Sequence, residues 1–403
     1  MALKVRACRN AAEYRDALGA IAEYGAWEMD DERRERFRRM LPYGRMHAAF
    51  DGKQGVGGAG AFDFELSIPG GSTACAGVTV VGVYPTHTRR GVLTAMMRAQ
   101  LDDAHERGDP LALLWASDER IYGRYGYGLA SLVGEIELPR ERGALAAEAG
   151  EGTVQYVELA EAQSVMEPIW EHVFGERPGM FRRTKAWWEA RTLQDPPEWR
   201  SGAGPKRVAA VEVDGVVQGY AVYRHAPNFA EGMDAGRIVA VEVLARTLDA
   251  ERLLWRYLLS LEWAGKVTAR LLPLDHPLFL LLSRPRQMRM RVGDGLWARL
   301  IDVGAALSAR SYAAPGPVVF DVRDEFCDWN AGRWALEDGE AAKTNAAADI
   351  ACDVTALGSV YLGGFTWTQL VRGGRAEELK PGAAARADTM FRTPLQPWCP
   401  EIF

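Results

Sequence analysis

The chain has 403 residues, which predicts two or three domains because a single hydrophobic core stops growing near ~250–300 residues. Hydrophobic residues make up 48% and charged residues 25%, which excludes a disordered, fibrous or collagen-like chain. The net charge is -6, from 48 Lys and Arg against 54 Asp and Glu. No global basic footprint results, so we expect no nucleic-acid partner and no anionic membrane surface as partner.

The N-terminal residues lack the apolar core of a signal peptide, and no apolar run approaches the ~18 residues of a membrane span. We therefore expect a cytoplasmic protein. The cysteines show no CxxC or Cys/His spacing typical of zinc, so we expect reduced thiols and no metal site. They stand far apart, at Cys8, Cys75, Cys327, Cys352 and Cys399.

Residues 1–138 predict an α/β domain. Apolar spacing indicates a helix over Ala11–Tyr24, and residues 30–39 form a second helical run whose mixed charges indicate a solvated face. Strands are predicted after them, and from Gly91 the period becomes helical, followed by a short buried strand. The strands are Met46–Phe50, Val56–Leu66, Gly77–Tyr84 and Leu111–Ala116, with Asp51-Gly52 as a hairpin turn between the first two. Residues 77–116 thus have the strand–loop–helix–strand pattern of a βαβ unit.

Residues 139–290 repeat this order of elements. A hairpin is predicted over Val208–Val213 and Val216–Tyr223, and after it come a strand, a helix and a strand. These are Ile238–Leu244, Ala250–Ala264 and Val267–Leu272. The link at 245–247 lacks the Arg-Arg-Gly found at 89–91. We infer a duplicated fold whose second copy has lost the chemistry of one loop.

Residues 291–403 predict a third, α+β domain. Leu296–Val303 is strand-like and Gly304–Ser311 is a short helix. An antiparallel strand pair and two packing helices complete the pattern. The pair is Val318–Val322 with Gly332–Glu337, and the helices are Asp353–Leu362 and Trp367–Arg372.

The strongest chemical signal lies where the strand ending near Val83 meets the helix that starts after Gly91. The free N–H groups of a helix N-terminus bind phosphate, Gly91 permits close backbone approach, and Arg89 and Arg90 add positive charge. A bare Arg-Arg-Gly is also typical of a charged turn, but the strand before it and the long apolar helix face after it favour a pyrophosphate loop. Neither GxxxxGK[ST] nor a GxGxxG after the strand is present.

Two motifs carry a family resemblance. Val83-Tyr-Pro-Thr-His-Thr-Arg-Arg-Gly91 and Ile121-Tyr-Gly-Arg-Tyr-Gly-Tyr-Gly-Leu-Ala130 resemble the GNAT acetyltransferases, and within them the Eis (enhanced intracellular survival) aminoglycoside N-acetyltransferases. The resemblance covers the whole chain. It implies tandem GNAT-like domains, each a mixed central sheet with flanking helices, followed by a sterol-carrier-like domain, with boundaries at 138/139 and 290/291. It also implies acetyl-CoA as co-substrate and a homo-oligomer, a hexamer.

The same resemblance implies roles for particular residues. Tyr127 matches the general acid, and Phe403 matches the residue whose α-carboxylate is the general base. The matched coenzyme positions are Val81, Val83, Arg89, Arg90, Gly91, Val92 and Leu93, and Ser117 is added because it follows a strand and could contact the coenzyme. Thr88 is also assigned to the coenzyme loop. It stands where the family often has a third basic residue, which predicts weaker acetyl-CoA affinity, although its hydroxyl and backbone N–H still suit a phosphate.

These assignments are chemically consistent. An α-carboxylate, with an ordinary pKa of ~3.3–3.7, is ionised at pH 7 and can accept a proton, whereas a tyrosine at ~10 can donate one. A backbone N–H of the 79–81 strand would meet the oxyanion. Taken alone, Tyr127 is also consistent with a core aromatic and Phe403 with a frayed terminus.

The acceptor is expected to be a small cationic amine, an aminoglycoside first and polyamines or lysine side chains next. Trp27, Glu28 and Phe37 lie where the family places acceptor-binding residues, and Glu401 is an acidic candidate beside the terminus. A non-enzymatic alternative is a lipid- or protein-binding module built on the third domain. That alternative predicts an open apolar cavity within residues 296–403.

Overall fold

A computed structural model describes residues 3–148, 150–228 and 235–403. The helices in chain order are α1 (Ala11–Gly25), α2 (Asp31–Met40), α3 (Val92–Arg107), α4 (Glu119–Tyr122), α5 (Gln163–Glu176), α6 (Lys185–Trp187), α7 (Leu248–Ser260), α8 (Leu278–Leu281), α9 (Val303–Ala309), α10 (Val354–Tyr361), α11 (Trp367–Arg372) and α12 (Ala383–Phe391). The strands are β1 (Leu3–Ala7), β2 (Met46–Asp51), β3 (Gln54–Ile68), β4 (Gly71–Val83), β5 (Leu111–Trp115), β6 (Gly128–Leu129), β7 (Leu132–Pro139), β8 (Thr153–Val157), β9 (Arg207–Val213), β10 (Val216–Ala226), β11 (Arg237–Ala245), β12 (Lys266–Leu272), β13 (Arg291–Asp294), β14 (Leu296–Leu300), β15 (Val318–Arg323), β16 (Gly332–Glu337), β17 (Glu340–Lys343), β18 (Ile350–Asp353) and β19 (Ala376–Glu378).

The chain divides into two compact units. The first comprises the residues up to Ser131 together with Leu296–Pro397 and Ile402–Phe403, and the second comprises Leu132–Gly295 and Trp398–Glu401. No helix among the described residues is long and apolar enough to cross a membrane.

The first unit contains a sheet in the order β1-β2-β3-β4-β5-β14-β6. Only β4 and β5 of these neighbours run parallel, and α3 connects them, as the sequence predicts for a βαβ unit. The apolar face of α3 is buried through Met96, Met97, Leu101 and Ala104. The N-terminus of α3 follows the end of β4 after the link formed by residues 84–91.

The first unit also contains a five-stranded sheet in the order β17-β16-β15-β18-β19. The predicted antiparallel pair is confirmed as β15 and β16, and the two predicted helices are confirmed as α10 and α11. Three rings fill the space between this sheet and its helices: Phe320 stacks on Trp367 at 4.7 Å, and both meet Phe391 edge-on. The α+β character predicted from sequence is therefore present.

The second unit contains one sheet in the order β13-β7-β12-β11-β10-β9-β8. It repeats the arrangement of the first sheet, since the hairpin β9–β10 is followed by β11, α7 and β12, and β11 and β12 are parallel. The predicted duplication is confirmed at the level of the elements. The predicted helix over Ala250–Ala264 is too long, because Leu261 adopts extended backbone and α7 ends at Ser260.

Two strands near the predicted domain boundaries pair in ways that local sequence does not show. Leu132–Pro139 (β7) pairs with β12 and β13 in the sheet of the second unit. Leu296–Leu300 (β14), expected in the third domain, lies between β5 and β6 in the first sheet. The boundaries at 138/139 and 290/291 stay predictions. Local sequence does not show these pairings because the hydrogen-bonding partners of β7 and β14 lie far away along the chain.

Candidate active site

The centre of the candidate site is the point where β4 and β5 stop pairing. Their parallel register runs from Cys75 opposite Leu111 to Gly77 opposite Leu113, whereas β4 continues to Val83. Beyond Gly77 no ladder pairs are formed between these two described strands. A gap between neighbouring strands exposes backbone groups that a ligand can bind.

A β-bulge lies on β4 beside this gap. The register with β3 shifts so that Thr79 faces Gly60 and Gly82 faces Gly58, which leaves Val80 and Val81 opposite a single residue. Val80 has a φ of 47°, a strained conformation for a β-branched side chain. Strained backbone of this kind is concentrated at functional sites. The bulge was not predicted from sequence.

The predicted pyrophosphate loop is open and positively charged. Arg89 and Arg90 are exposed, and Gly91 precedes α3 with a φ of 81°, the left-handed region that favours glycine. No side chain caps this helix N-terminus, and a Cβ built on Gly91 would meet nothing within 4 Å. The Thr88 hydroxyl donates to the Pro85 carbonyl at 3.1 Å, so it stabilises the turn.

Four apolar residues predicted to bind the coenzyme pack mainly inside the protein. Val83 and Val92 are buried in one cluster with Met96, and Leu93 and Val81 pack partly against it. Their side chains therefore hold β4 against α3. Any contact that Val83 or Val92 makes with a ligand would come from the backbone.

Ser117 lies immediately after β5 and is exposed. Its hydroxyl forms a hydrogen bond with the buried Tyr122 phenol. The next residue caps α4, because the Asp118 side chain accepts from the Arg120 N–H at the start of this helix. Ser117 thus connects the end of β5 to the tyrosine-rich turn.

Tyr127 is fully buried in that turn. Its ring meets Tyr122 edge-on at 6.1 Å, and its hydroxyl has no hydrogen-bond partner among the residues that the structure describes. Burial raises the pKa of Tyr127 well above its ordinary value, and the positive charge of Arg299 opposes that rise. The phenol is therefore protonated at neutral pH, with its O–H uncommitted. A buried polar group without a partner is rare and calls for an explanation.

Arg299 on β14 is a site residue that the sequence interpretation missed. It is 0% exposed, and a Cβ on Gly126 would lie 2.6 Å from its Nη1. A single arginine inside the apolar stretch Leu296–Ile301 was the available signal. Local pattern alone could not show that this strand lies next to Tyr127.

The ring of Phe403 belongs to a row of aromatic side chains in the first unit. It meets Phe64 edge-on at 4.9 Å, Phe64 stacks on Phe62 at 5.5 Å, and Phe62 meets Phe37 at 6.3 Å. Phe64 also covers Gly77, where a Cβ would fall 2.2 Å from its ring. The row therefore places Phe403 and Phe37 along the face of β3, next to the point where β4 and β5 part.

Trp27 and Glu28 lie in the segment between α1 and α2. Trp27 is 51% exposed and its indole packs over Gly25, where a Cβ would fall 2.5 Å away. Glu28 is exposed, and its carbonyl accepts from Arg33. Both side chains are accessible, and their role in acceptor binding stays a prediction.

Glu401 lies in a cluster of ion pairs. Its carboxylate accepts hydrogen bonds from Arg183 at 2.9 Å and Arg191 at 3.2 Å in the second unit, where Glu242 also binds Arg183. Burial works to raise the pKa of Glu401, but these two arginines prevail and hold it below its ordinary value. A cationic acceptor would have to share this carboxylate with two guanidinium groups, and the role of Glu401 in acceptor binding stays a prediction.

Comparison with protein families defines the class. Residues 7–130 and 179–300 each match an acetyltransferase (GNAT) domain, and residues 303–400 match a sterol carrier protein domain. The chain thus has two GNAT domains and a sterol-carrier-like domain. The first GNAT domain contains the parallel strand pair, the bulge and the open helix N-terminus. These features define a tandem GNAT acetyltransferase.

Relatives identify the particular family. An uncharacterised N-acetyltransferase of Streptomyces avermitilis is 39% identical over 96% of this chain and 95% of its own length. The N-acetyltransferase Eis of Mycobacterium tuberculosis is 33% identical, over 84% of each chain. The crystal structure of Eis1 from Mycobacterium abscessus superposes with a TM-score of 0.86 at 32% identity, covering 99% of this chain and all of that one. The chain belongs to the Eis family of GNAT N-acetyltransferases and is an acyl-CoA-dependent acetyltransferase, which confirms the resemblance.

Proposed function

We propose that the protein transfers an acetyl group from acetyl-CoA to primary amines of small cationic acceptors, with aminoglycosides as the first class to test. The observation that carries the choice of co-substrate is the uncapped N-terminus of α3, flanked by exposed Arg89 and Arg90 and preceded by the left-handed Gly91. Its N–H groups and the two cations suit a pyrophosphate. The gap between β4 and β5 lies next to it and suits the extended pantetheine arm.

Tyr127 is proposed as the general acid. Its hydroxyl is buried and unpartnered, as expected of a donor whose acceptor arrives with the substrate. At neutral pH it carries the proton that a leaving thiolate requires. Backbone N–H groups at the 80–81 bulge are proposed to receive the oxyanion, because a bulge frees backbone groups from the ladder.

The α-carboxylate of Phe403 is proposed as the general base. The contact with Phe64 supports this, because it places the terminal residue on the aromatic row that also covers Gly77. The same rings, together with Phe37, favour a cationic acceptor, since protonated amines bind aromatic faces.

The proposed reaction balances without an acetyl-enzyme. The Phe403 carboxylate takes one proton from the acceptor ammonium, and the free amine forms a C–N bond to the thioester carbon. The C–S bond then breaks as Tyr127 gives its proton to sulfur, and the second amine proton returns to Tyr127. The products are the acetamide, the free thiol of the coenzyme and one proton.

A direct assay tests the proposal. The protein is mixed with acetyl-CoA and, separately, with an aminoglycoside, a polyamine and a lysine peptide, and release of free thiol is followed. We expect turnover with the aminoglycoside above that with the other two amines. Faster turnover with a polyamine or a lysine peptide would reassign the acceptor. Turnover with none of the three amine classes would contradict the proposal.

Adding Gly-Ser after Phe403 tests the base. The added residues move the free carboxylate away from the Phe64 ring, so we expect kcat to fall by about 10²-fold or more while the KM for acetyl-CoA stays constant. Phe403→Leu is the matched control, because it keeps the carboxylate and loses only the ring contact. An extended enzyme at full rate would exclude the terminal carboxylate as base.

The alternative of a lipid-binding module receives less support. The interior of the sterol-carrier-like domain is filled by Phe320, Trp367 and Phe391. A cleft of about 300 Å³ in this domain has a mixed lining that includes Asp388 and Arg392, unlike an apolar lipid cavity. Two further expectations accompany the proposal. A homo-hexamer is testable by light scattering, and a cytoplasmic location, testable by cell fractionation, is consistent with five buried, unpaired cysteines.

A further inference from the structure

Arg299 brings a positive charge into the interior of the first unit, next to the proposed acid. It sits on β14, which pairs with β5 on one side and with β6 on the other. Its side chain is 0% exposed and its guanidinium packs against the backbone of Gly126, the residue before Tyr127. The left-handed backbone of Gly126, with a φ of 82°, and the absence of a Cβ make this approach possible.

Only part of this guanidinium is bound. Nη2 donates to Oδ2 of Asp324 at 2.5 Å, whereas Nε and Nη1 form no hydrogen bond of normal geometry among the described residues, and the Cys327 thiol is a neighbouring group that interacts with the guanidinium. Asp324 in turn accepts from the N–H groups of Phe326 and Cys327 and from the Asn330 amide. The carboxylate is thus held and partly neutralised by several donors. The Nε and Nη1 nitrogens, which together carry three N–H groups, are therefore available to a further acceptor.

The Tyr127 hydroxyl and the Nε and Nη1 atoms of Arg299 are all buried without a normal hydrogen bond among the described residues, and the guanidinium is close enough to act electrostatically on the phenol. Other buried side chains, such as Gln100 and Trp367, also have unsatisfied atoms, so it is the position of a cation beside the proposed acid that indicates a function. The two groups are complementary. The Tyr127 hydroxyl loses a proton during the proposed reaction, and the Arg299 guanidinium is a fixed cation with further hydrogen-bond donors.

The chemistry requires such a cation. An ordinary tyrosine has a pKa of ~10 and an ordinary thiol ~8.5, so proton transfer from phenol to thiolate is unfavourable even in water, by a factor of about 30. Burial makes the phenolate still less stable. Among the charged and titratable groups around Tyr127, Arg299 lowers its pKa, whereas Cys75, Tyr122 and Cys327 raise it.

We propose that Arg299 is a positioning residue that stabilises the negative charge formed on the Tyr127 oxygen when its proton passes to the departing thiolate. Asp324 holds the guanidinium in place for this role. The inference rests on the proposed function, because it requires Tyr127 to be the acid. In the step concerned, the Tyr127 O–H bond and the thioester C–S bond break, an S–H bond forms, and the phenolate is reprotonated by the amine of the acceptor.

A double-mutant cycle tests this. Arg299→Met combined with Asp324→Asn removes both charges and leaves no unpaired ion in the interior. With acetyl-CoA and an accepted amine, we expect this pair to lower kcat about 10- to 100-fold, with the KM for acetyl-CoA within about threefold. In the presence of Tyr127→Phe it should lower kcat no further, because the acid on which Arg299 acts is absent. Arg299→Lys, which keeps the charge, should recover most of the rate.

The outcomes separate the two hypotheses. Full kcat after Tyr127→Phe would overturn the acid assignment, and the role of Arg299 with it. If Tyr127→Phe is slow but the charge-removing pair slows the enzyme equally with and without it, only the role of Arg299 fails. Full kcat for the charge-removing pair would overturn that role as well. If the pair does not fold, Arg299→Lys decides, because a folded lysine variant as slow as Tyr127→Phe contradicts an electrostatic role.

A second buried arginine in the same unit supplies the control. Arg310 is 3% exposed, and its guanidinium donates to the backbone carbonyls of Val360, Tyr361 and Phe391. Arg310→Met should lower the melting temperature and leave kcat of the folded enzyme within about twofold, because no proposed reacting group lies among its hydrogen-bond partners. A loss of kcat in Arg310→Met equal to that of the charge-removing pair would identify a general effect of destabilisation and overturn the proposal.

Discussion

Gly91→Ala is the substitution that most directly tests the proposed pyrophosphate loop. Gly91 has a φ of 81° at the N-terminus of α3, and Gly108 has a φ of 78° at the C-terminus of the same helix. A Cβ at either position meets nothing within 4 Å. Each alanine therefore carries only the backbone cost of the left-handed region, about 1 kcal/mol of unfolding free energy. Thermal melts should show a similar decrease for both variants, roughly 2–4 °C.

The two variants should differ in coenzyme binding. At Gly91 the added methyl occupies the space that a pyrophosphate needs to approach the backbone, so we expect the KM for acetyl-CoA to rise about fivefold or more, equivalent to about 1 kcal/mol of binding. Gly108→Ala should leave the KM unchanged. The assay is thiol release at varied acetyl-CoA, checked by calorimetric titration with CoA. Equal KM values for the two variants would refute the assignment of the loop.

Three further predictions follow from individual contacts. Thr88→Arg adds a cation to the loop and should lower the KM for acetyl-CoA about three- to fivefold in steady-state assays, an effect that 0.5 M salt should largely abolish. Phe64→Leu removes the edge-on contact with Phe403, which contributes about 0.5–1.5 kcal/mol. It should lower kcat/KM for the acceptor about two- to tenfold while the KM for acetyl-CoA stays constant. An unchanged kcat/KM for the acceptor with a raised KM for acetyl-CoA would contradict the proposed position of the base. Burial lowers the pKa of His276 to about 3, and its Nδ1 accepts from the Leu278 N–H. Because the unfolded chain takes up this proton below pH 6.5 and the native ring does not, the contribution of His276 to stability should fall as the pH falls from about 6.5 towards 3, by up to about 1.4 kcal/mol per pH unit. Glu251 lies 3.3 Å from its Nε2, and because burial raises the pKa of Glu251 to about 7, that carboxyl contributes with the opposite sign between about pH 7 and 4.5. Denaturant titrations at several pH values should show that the unfolding free energy of His276→Gln depends less steeply on pH between about 6.5 and 3 than that of the parent protein. An equally steep pH dependence in the variant would exclude this histidine as the cause.

Local sequence signals identified the elements that depend on periodicity and turns. The apolar face of α3, the hairpin β2–β3 and the parallel pairs β4–β5 and β11–β12 all agree with the pattern of the sequence. Such signals suffice because helix and strand formation depend on spacing within ten to fifteen residues. Short elements with weak patterns, such as β1 and β19, went unpredicted because partners elsewhere in the sheet stabilise them.

Part of the candidate site was predictable for the same reason. Gly91 with Arg89 and Arg90 forms a contiguous motif, and its open helix N-terminus follows from the order strand, loop, helix. Tyr127 was found through a motif as well. That its hydroxyl is buried and unpartnered could not be read from the motif, because burial depends on what packs over it.

The sequence alone therefore determined the family, the duplicated α/β pattern and the phosphate-binding loop, since each is encoded in neighbouring residues. Only the tertiary structure decided which distant residues join them. It placed β14, with Arg299, beside Tyr127, engaged Glu401 with two arginines, and set Phe403 against Phe64. The physical reason is that ion pairs, ring contacts and strand pairing depend on distances in space, which residues far apart along the chain acquire only when the core has packed.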